Sequence, residues 1–455
     1  MADLYVNNQG GATPTSPYAT WATAAATITI ALADAACVAG SNVYVAFSHA
    51  ESGGNALINP VDVNTKSNPI CIISVDETGS PEPPTTGDYK KATSAQVTAV
   101  GGGDVIFSAT DIGVSLYGLW LTAEDNLNLS GIGTRIYFSD CTLEFDQGIG
   151  TNQEQHHTYE DVTFIFENVA AAGMAFNNNS VYNLFNCSAS STTATRVVYN
   201  VAGASRGNLD INIDGFDATG MTAGSFEFCA DAAIGGNANE NVTLNCSNII
   251  LPTGGTWGNT LITGSGSTIS LSNVTAEPSG NNITHTEFRT FNGTAISNTS
   301  IYLNADDGEG TGYSMEFQGS ANAKTGRLET GSVKFLLDEF YSTANPTVEI
   351  HAYGDHATAL TAQEFWITVE YPDATNRVST HVVRDIDVDL FLGSGTALAT
   401  ETDPGWVGTG SPTNPRYYNP SVTISGGGAG VHRVWASAAI GAGTSIWVDP
   451  ITERT

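Results

Sequence analysis

Ile136-Tyr137-Phe138-Ser139-Asp140-Cys141 runs apolar, variable, apolar, variable, then Asp, then apolar. Five further segments share that order, with Asn, Asp or Gly in the fifth place. They are Val114-Ser115-Leu116-Tyr117-Gly118-Leu119, Phe164-Ile165-Phe166-Glu167-Asn168-Val169, Tyr182-Asn183-Leu184-Phe185-Asn186-Cys187, Ile211-Asn212-Ile213-Asp214-Gly215-Phe216 and Ile269-Ser270-Leu271-Ser272-Asn273-Val274. Alternation marks a strand with one buried face. The inserted residue reverses the parity, so the chain must bend to bring the next apolar side chain back inside. Gly, Asn and Asp tolerate the left-handed backbone that such a bend demands. The closing positions Leu119, Cys141, Val169, Cys187 and Phe216 are 22, 28, 18 and 29 residues apart, and Val274 follows after 58. That last interval spans two coils, with a degenerate copy at Val242-Thr243-Leu244-Asn245-Cys246. A strand–bend–strand unit at this interval predicts a parallel β-helix.

Composition agrees. The chain has 455 residues, room for two or more domains, and 49 glycines suit short strands joined by tight turns rather than long helices. Net charge is −31, from 15 basic against 46 acidic residues, which disfavours nucleic acid and anionic membranes as partners. The same charge keeps a large β-protein soluble and discourages edge pairing. Six cysteines, Cys37, Cys71, Cys141, Cys187, Cys229 and Cys246, include no close pair of the CxxC type. Zinc and dithiol redox chemistry are thereby disfavoured, and the expectation is free, buried thiols formed in a reducing compartment. No basic and apolar leader opens the sequence, and no uninterrupted apolar run reaches membrane-spanning length.

Residues 1–50 read as an opening cap and first coil. A short strand at Leu4-Tyr5-Val6 precedes an Ala-rich helix within 24–36, with Pro17 placed where a helix could begin, and Val43-Tyr44-Val45-Ala46-Phe47 forms the next strand. The order YV…SPYATWATAAA…AGSNVYVAF…HAE resembles the start of pectin-lyase-like right-handed parallel β-helix proteins, in which a short helix caps the solenoid. Coils are expected over 51–326, interrupted by polar excursions at 78–93 and 147–159. From 327 to 455 the strands lengthen and alternate around aromatics, as in Glu364-Phe365-Trp366-Ile367-Thr368-Val369-Glu370-Tyr371, which predicts an antiparallel β-sandwich. The stretch from Gly331 to Glu453 resembles the carbohydrate-binding-module-like jelly rolls that end many bacteriophage virion proteins.

Candidate chemistry sits on outward positions. Glu144 and Asp146 flank inward Phe145 at a spacing of about 6–7 Å, near the range of glycosidase acid–base pairs. Asp210 and Asp214 bracket Ile211 and Ile213 at twice that step. An acidic solenoid also displays such pairs as a plain solvated face. No lyase motif surrounds Arg135, Arg196, Arg206 or Arg289. His156-His157, beside Glu154, Glu160 and Asp161, reads as loop histidines, because adjacent side chains diverge on extended backbone. Asp385, Asp387 and Asp389 share one face of a strand and are the candidate calcium ligands, weighed against a solvated face. Trp366, Trp435 and Trp447 read as sandwich core, and Trp406 as an exposed residue for stacking on a glycan.

These readings imply a non-enzymatic protein without a cofactor, made in the host cytoplasm and displayed on a virion surface. The resemblance implies a bacteriophage capsid decoration or tail spike. It also implies self-association as a homotrimer, contacts with capsid or tail subunits, and a host-surface glycan as a further partner. The alternatives are a polysaccharide-degrading tailspike and a glycan-binding adhesin.

Overall fold

The computed structural model describes nearly all of residues 2–190 and, beyond them, chiefly the strands named below. The chain divides into two compact units, Met1–Phe226 and Glu227–Thr455.

The first unit is built from parallel ladders. One runs through Asp3–Val6, Asn42–Ala46, Ile70–Val75, Gly113–Tyr117, Arg135–Ser139, His156–Glu160, the first half of Ser180–Ser190 and the first half of Asn208–Gly220. A second runs through Ala50–Gly53, Gln96–Ala99, Trp120–Ala123, Thr142–Phe145, Thr163–Phe166 and the second half of Ser180–Ser190. A third joins Ala56–Leu57, Val105–Ile106, Asn126–Leu129, Gly148–Thr151, Gly173–Met174 and Arg196–Tyr199. Each coil thus passes once through each ladder, the arrangement of a parallel β-helix.

The bends between the first two ladders lie where the repeat placed them. Gly118, Asp140, Asn186 and Gly215 have φ of 69°, 52°, 52° and 73°. The residues that follow, Leu119, Cys141, Cys187 and Phe216, are all buried. At Gly118 a Cβ would stand 1.8 Å from the Lys90 carbonyl oxygen, so this bend excludes every other residue.

Two copies of the repeat are phased differently from the reading above. Phe164 and Phe166 belong to the second ladder, paired with Leu143 and Phe145. The bend of that coil is instead Asp161, with φ of 53°, followed by buried Val162. The repeat unit there is His157-Thr158-Tyr159-Glu160-Asp161-Val162, and Leu119, Cys141, Val162, Cys187 and Phe216 stand 22, 21, 25 and 29 residues apart. A histidine in an apolar slot hides this copy from a hydrophobicity template. For the same reason 147–159 is a coil and no excursion, since it holds strands Gly148–Thr151 and His156–Glu160. Likewise the degenerate copy begins at Leu244, not Val242. Leu244 pairs with Ile269, Cys246 with Leu271 and Ile249 with Val274, around Asn248 at φ of 54°.

The interior is a stack of like residues from successive coils. Phe138 and Tyr159 lie face to face with centroids 5.1 Å apart, and Phe107 meets Phe138 edge-on at 5.9 Å. Stacks of this kind add to the large apolar area each ring removes from water. Cys141 and Cys187 occupy the slot predicted for them, buried and free, with Sγ directed at the carbonyls of Leu116 and Tyr159. Burial pushes both thiols up to about 12. Cys37 and Cys246 are also buried, Cys71 is half-buried and free, and the Cys229 side chain lies outside the described residues.

The expected helix is shorter than its alanine content suggests, spanning Ile28–Leu32 after a 3-10 turn at Trp21–Thr23. Thr27 caps it by accepting from the Ile30 amide at 3.1 Å, and Glu51 accepts from the Ile28 amide at 2.9 Å. Ile28, Ala31 and Leu32 are the residues it buries. Tertiary burial, rather than propensity, supports so short a helix. Ser16-Pro17 is a cis peptide that precedes the 3-10 turn.

In the second unit, Asn241–Leu251 still pairs in parallel with Thr268–Ala276, and Ala232–Ile234 with Thr260–Ile262. From Thr286–Thr290 onward every described pairing is antiparallel, starting ahead of residue 327. Val333–Ser342 and Glu364–Glu370 flank Gly430–Ala439, Arg377–His381 and Ile386–Phe391 extend that sheet, and smaller antiparallel sheets hold Ser445–Val448 and Ser421–Ile424. The fold is therefore all-β, with long parallel ladders followed by antiparallel strands.

Candidate functional site

The second ladder presents Glu144 and Asp146 outward, on either side of buried Phe145, as the alternation requires. Register places Thr122 opposite Glu144 on one neighbouring coil and Ile165 opposite it on the other. Glu144 Oε2 accepts from the Trp120 indole N–H at 2.7 Å and from the Thr122 hydroxyl at 3.0 Å. One outward carboxylate thus ties an aromatic and a hydroxyl of the preceding coil into the ladder.

The next coil adds Glu167, which the sequence reading passed over. It is exposed, and a hydrogen bond with Glu144 raises its carboxyl above the usual range, reinforced by desolvation and by the charges of Glu144 and Asp146. Two carboxyl groups that share a hydrogen bond favour one proton between them. The site is therefore a face of Trp120, Thr122, Glu144, Asp146 and Glu167, contributed by three coils. The place of Glu167, one residue beyond strand Thr163–Phe166, follows from inter-coil register.

Asp210 is half-buried and Asp214 exposed on Asn208–Gly220, opposite Val181 and Phe185 of the neighbouring coil. Asn212 stands between them and donates to Asn183 Oδ1 at 2.9 Å. Neither aspartate is brought to the Glu144 face, because they lie on the first ladder and Glu144 on the second.

The two adjacent histidines part as extended backbone dictates. His156 is exposed, and burial and the Arg135 charge lower its pKa. His157 is fully buried, pushed down to about 3 by desolvation, and lies 3.2 Å from Thr134 Oγ1. Its ring meets Tyr182 edge-on at 5.4 Å. Below it Gln155, also buried, donates to the Gly131 carbonyl at 2.7 Å and to the Leu129 carbonyl, and accepts from Tyr182 at 3.2 Å. These polar residues are interior spacers whose partners come from the coils on either side. Asp387 and Asp389 fall in strand Ile386–Phe391 with side chains outside the described residues, where Asp385 and Trp406 also lie. No helix among the described residues is long and apolar enough to cross a membrane.

No family model matches the chain, and no curated protein matches it. Among solved structures it is similar to the enzymatically active domain of tailspike protein 4 of bacteriophage CBA120. The identity is 9% and the TM-score 0.21, over 91% of this chain and 64% of that one. The chain thus spans less than two thirds of that neighbour. A likeness this distant carries no argument about fold or activity.

Proposed function

We propose that the protein is a structural component of a bacteriophage virion surface, a rigid acidic β-helical rod serving as a capsid protrusion or a tail spike. The observation that carries this reading is the use of outward polar groups inside the ladders. Glu144 binds Trp120 and Thr122, Asn183 receives Asn212, and Ser188 donates to Thr163 at 3.2 Å, so side chains on the surface stiffen the stack coil by coil. Free thiols in the core fit folding in a reducing cytoplasm before release. Assembly as a homotrimer, docking on capsid or tail subunits and contact with a host-surface glycan belong to the same proposal. Immunogold labelling of purified particles tests it. Label on the head or the tail supports the two placements respectively, and absence of the protein from particles overturns the reading.

One observation favours a second reading, a polysaccharide depolymerase. The raised carboxyl of Glu167 suits a general acid, with Glu144 or Asp146 as the second carboxyl group and Trp120 bonded to Glu144. Release of reducing ends from envelope polysaccharide, lost in Glu167→Gln and Glu144→Gln, would establish it. Wild-type protein that releases none rejects it.

A further inference from the structure

The first ladder carries an outward feature of opposite character. Before residue 190 the chain contains only four Lys and Arg residues, Lys66, Lys90, Lys91 and Arg135. Two of these line one open cavity of about 310 Å³, with His156 and Tyr137 as further walls. Arg135 and His156 are register neighbours on adjacent coils, so guanidinium and imidazole stand on one column. Tyr137 and Thr158 form the next column, and Lys66 arrives from the 3-10 turn Val63–Lys66 that precedes Ile70–Val75. An adjoining cavity of about 360 Å³ shares Lys66, Ser67 and Arg135 and is completed by Asn64 and Asp111.

The local charge is arranged, not incidental. Lys66 Nζ is held by Asp111 Oδ1 at 2.8 Å, and Gly133, at φ of 70°, keeps the space beside that pair open. A Cβ there would stand 2.5 Å from Asp111 Oδ1 and 3.2 Å from Lys66 Nζ. Arg135 is exposed and forms no ion pair among the described residues. The nearby acid Glu160 accepts from the Tyr137 hydroxyl, which orients the ring along the cavity wall. An unpaired guanidinium with an ammonium fixed by Asp111, beside an imidazole whose Nε2 lies 3.3 Å from Asn183 Nδ2 and whose Nδ1 is left to donate, makes a concave receptor for a planar or tetrahedral oxyanion.

We propose that this cavity binds a small oxyanionic ligand, carboxylate or phosphoryl, seated on Arg135 and His156 with Lys66 at its margin. Tyr137, Ser115 and Thr158 then face the polar remainder of the ligand. The inference does not rest on the virion reading or on the Glu144 face. Binding an anion would also offset the Arg135 charge, which after desolvation is the second cause of the lowered His156 pKa, so the imidazole binds a proton more readily when the site fills.

The test is an NMR titration of the full chain at low ionic strength, following the His156 and His157 ring signals. Sodium glucuronate and inorganic phosphate are the probes, and glucose is the neutral control. The expected result is a saturable shift of the His156 signal and a higher His156 pKa with at least one anion, no shift with glucose, and an unmoved signal from buried His157. Response to glucuronate alone assigns a carboxylate ligand, and response to phosphate alone a phosphoryl ligand. Arg135→Gln, an exposed change whose melting temperature should match the parent, should weaken binding about tenfold or more. No saturable shift with either anion overturns the proposal, as does undiminished binding by Arg135→Gln.

Discussion

Strands Arg135–Ser139 and Thr142–Phe145 belong to one coil, yet their outward sides differ in sign. The first bears Arg135 and Tyr137, beside His156 of the next coil. The second bears Glu144, with Asp146 just beyond it and Glu167 from the next coil. A single left-handed residue, Asp140, separates them. Because the bend restores inward parity without returning to the same plane, each coil offers independent outward columns. A strongly acidic chain can therefore set Arg135 and His156 side by side on one face while Glu144, Asp146 and Glu167 meet on another. On the acidic face the groups bond one another across coils. On the basic face Arg135 is left to meet a ligand. The two faces differ in charge rather than in bonding, because the first ladder is also tied across coils, by Tyr137 with Glu160 and by Asn212 with Asn183.

The largest effect that tests this comparison comes from the interior between the faces. His157 is held near 3 in the folded chain, against about 6.5 when unfolded. The folded protein then takes up fewer protons than the unfolded one, so stability falls as pH drops from about 6.5 toward 3. The slope is about 1.4 kcal/mol per pH unit, an upper figure for one fully buried group. Denaturant midpoints measured across this range should show it, and His157→Leu should flatten the slope even though it removes the bond to Thr134. An unchanged slope would mean that His157 is not buried as a neutral ring.

Gly118→Ala attacks the bend itself. Steric conflict with the Lys90 carbonyl and a disfavoured φ should cost about 3 kcal/mol or more, seen as a large fall in melting temperature. At the equivalent bend, Asp140→Gly relieves a left-handed non-glycine residue and should be neutral or stabilising by up to about 1 kcal/mol. Equal losses in the two variants would break the view that one bend geometry serves successive coils.

On the acidic face, Glu144→Ala leaves the Trp120 indole and the Thr122 hydroxyl without their acceptor. A loss of about 1 kcal/mol is expected, with a shift in tryptophan emission. It should also lower the raised Glu167 pKa, read by carboxyl NMR. A raised folded pKa means that Glu167 contributes stability at low pH and loses it as pH rises through its titration. Relief of that repulsion should therefore appear only at the higher pH and, after solvent screening, stay below about 0.5 kcal/mol. Smallest of all is Lys66→Met, which breaks an exposed pair with Asp111 and should change stability by no more than about 0.5 kcal/mol.

The local rules are legible in the sequence. Alternation in Val114–Leu116, Ile136–Phe138 and Ile211–Ile213 fixed which side chains turn inward, and Gly118, Asp140, Asn186 and Gly215 were legible as bends because left-handed backbone selects its residues. The outward placement of Glu144 and Asp146 followed from the same parity. The tertiary structure alone decided what happens between coils. His157 passes as a core residue only because Thr134, 23 residues earlier, supplies a partner and tyrosine rings enclose it. Glu167 joins Glu144, and Lys66 reaches the column of Arg135 and His156, through ladder register rather than through any local pattern. Local backbone preference is written in adjacent residues, whereas desolvation and charge pairing depend on neighbours a full coil or more away.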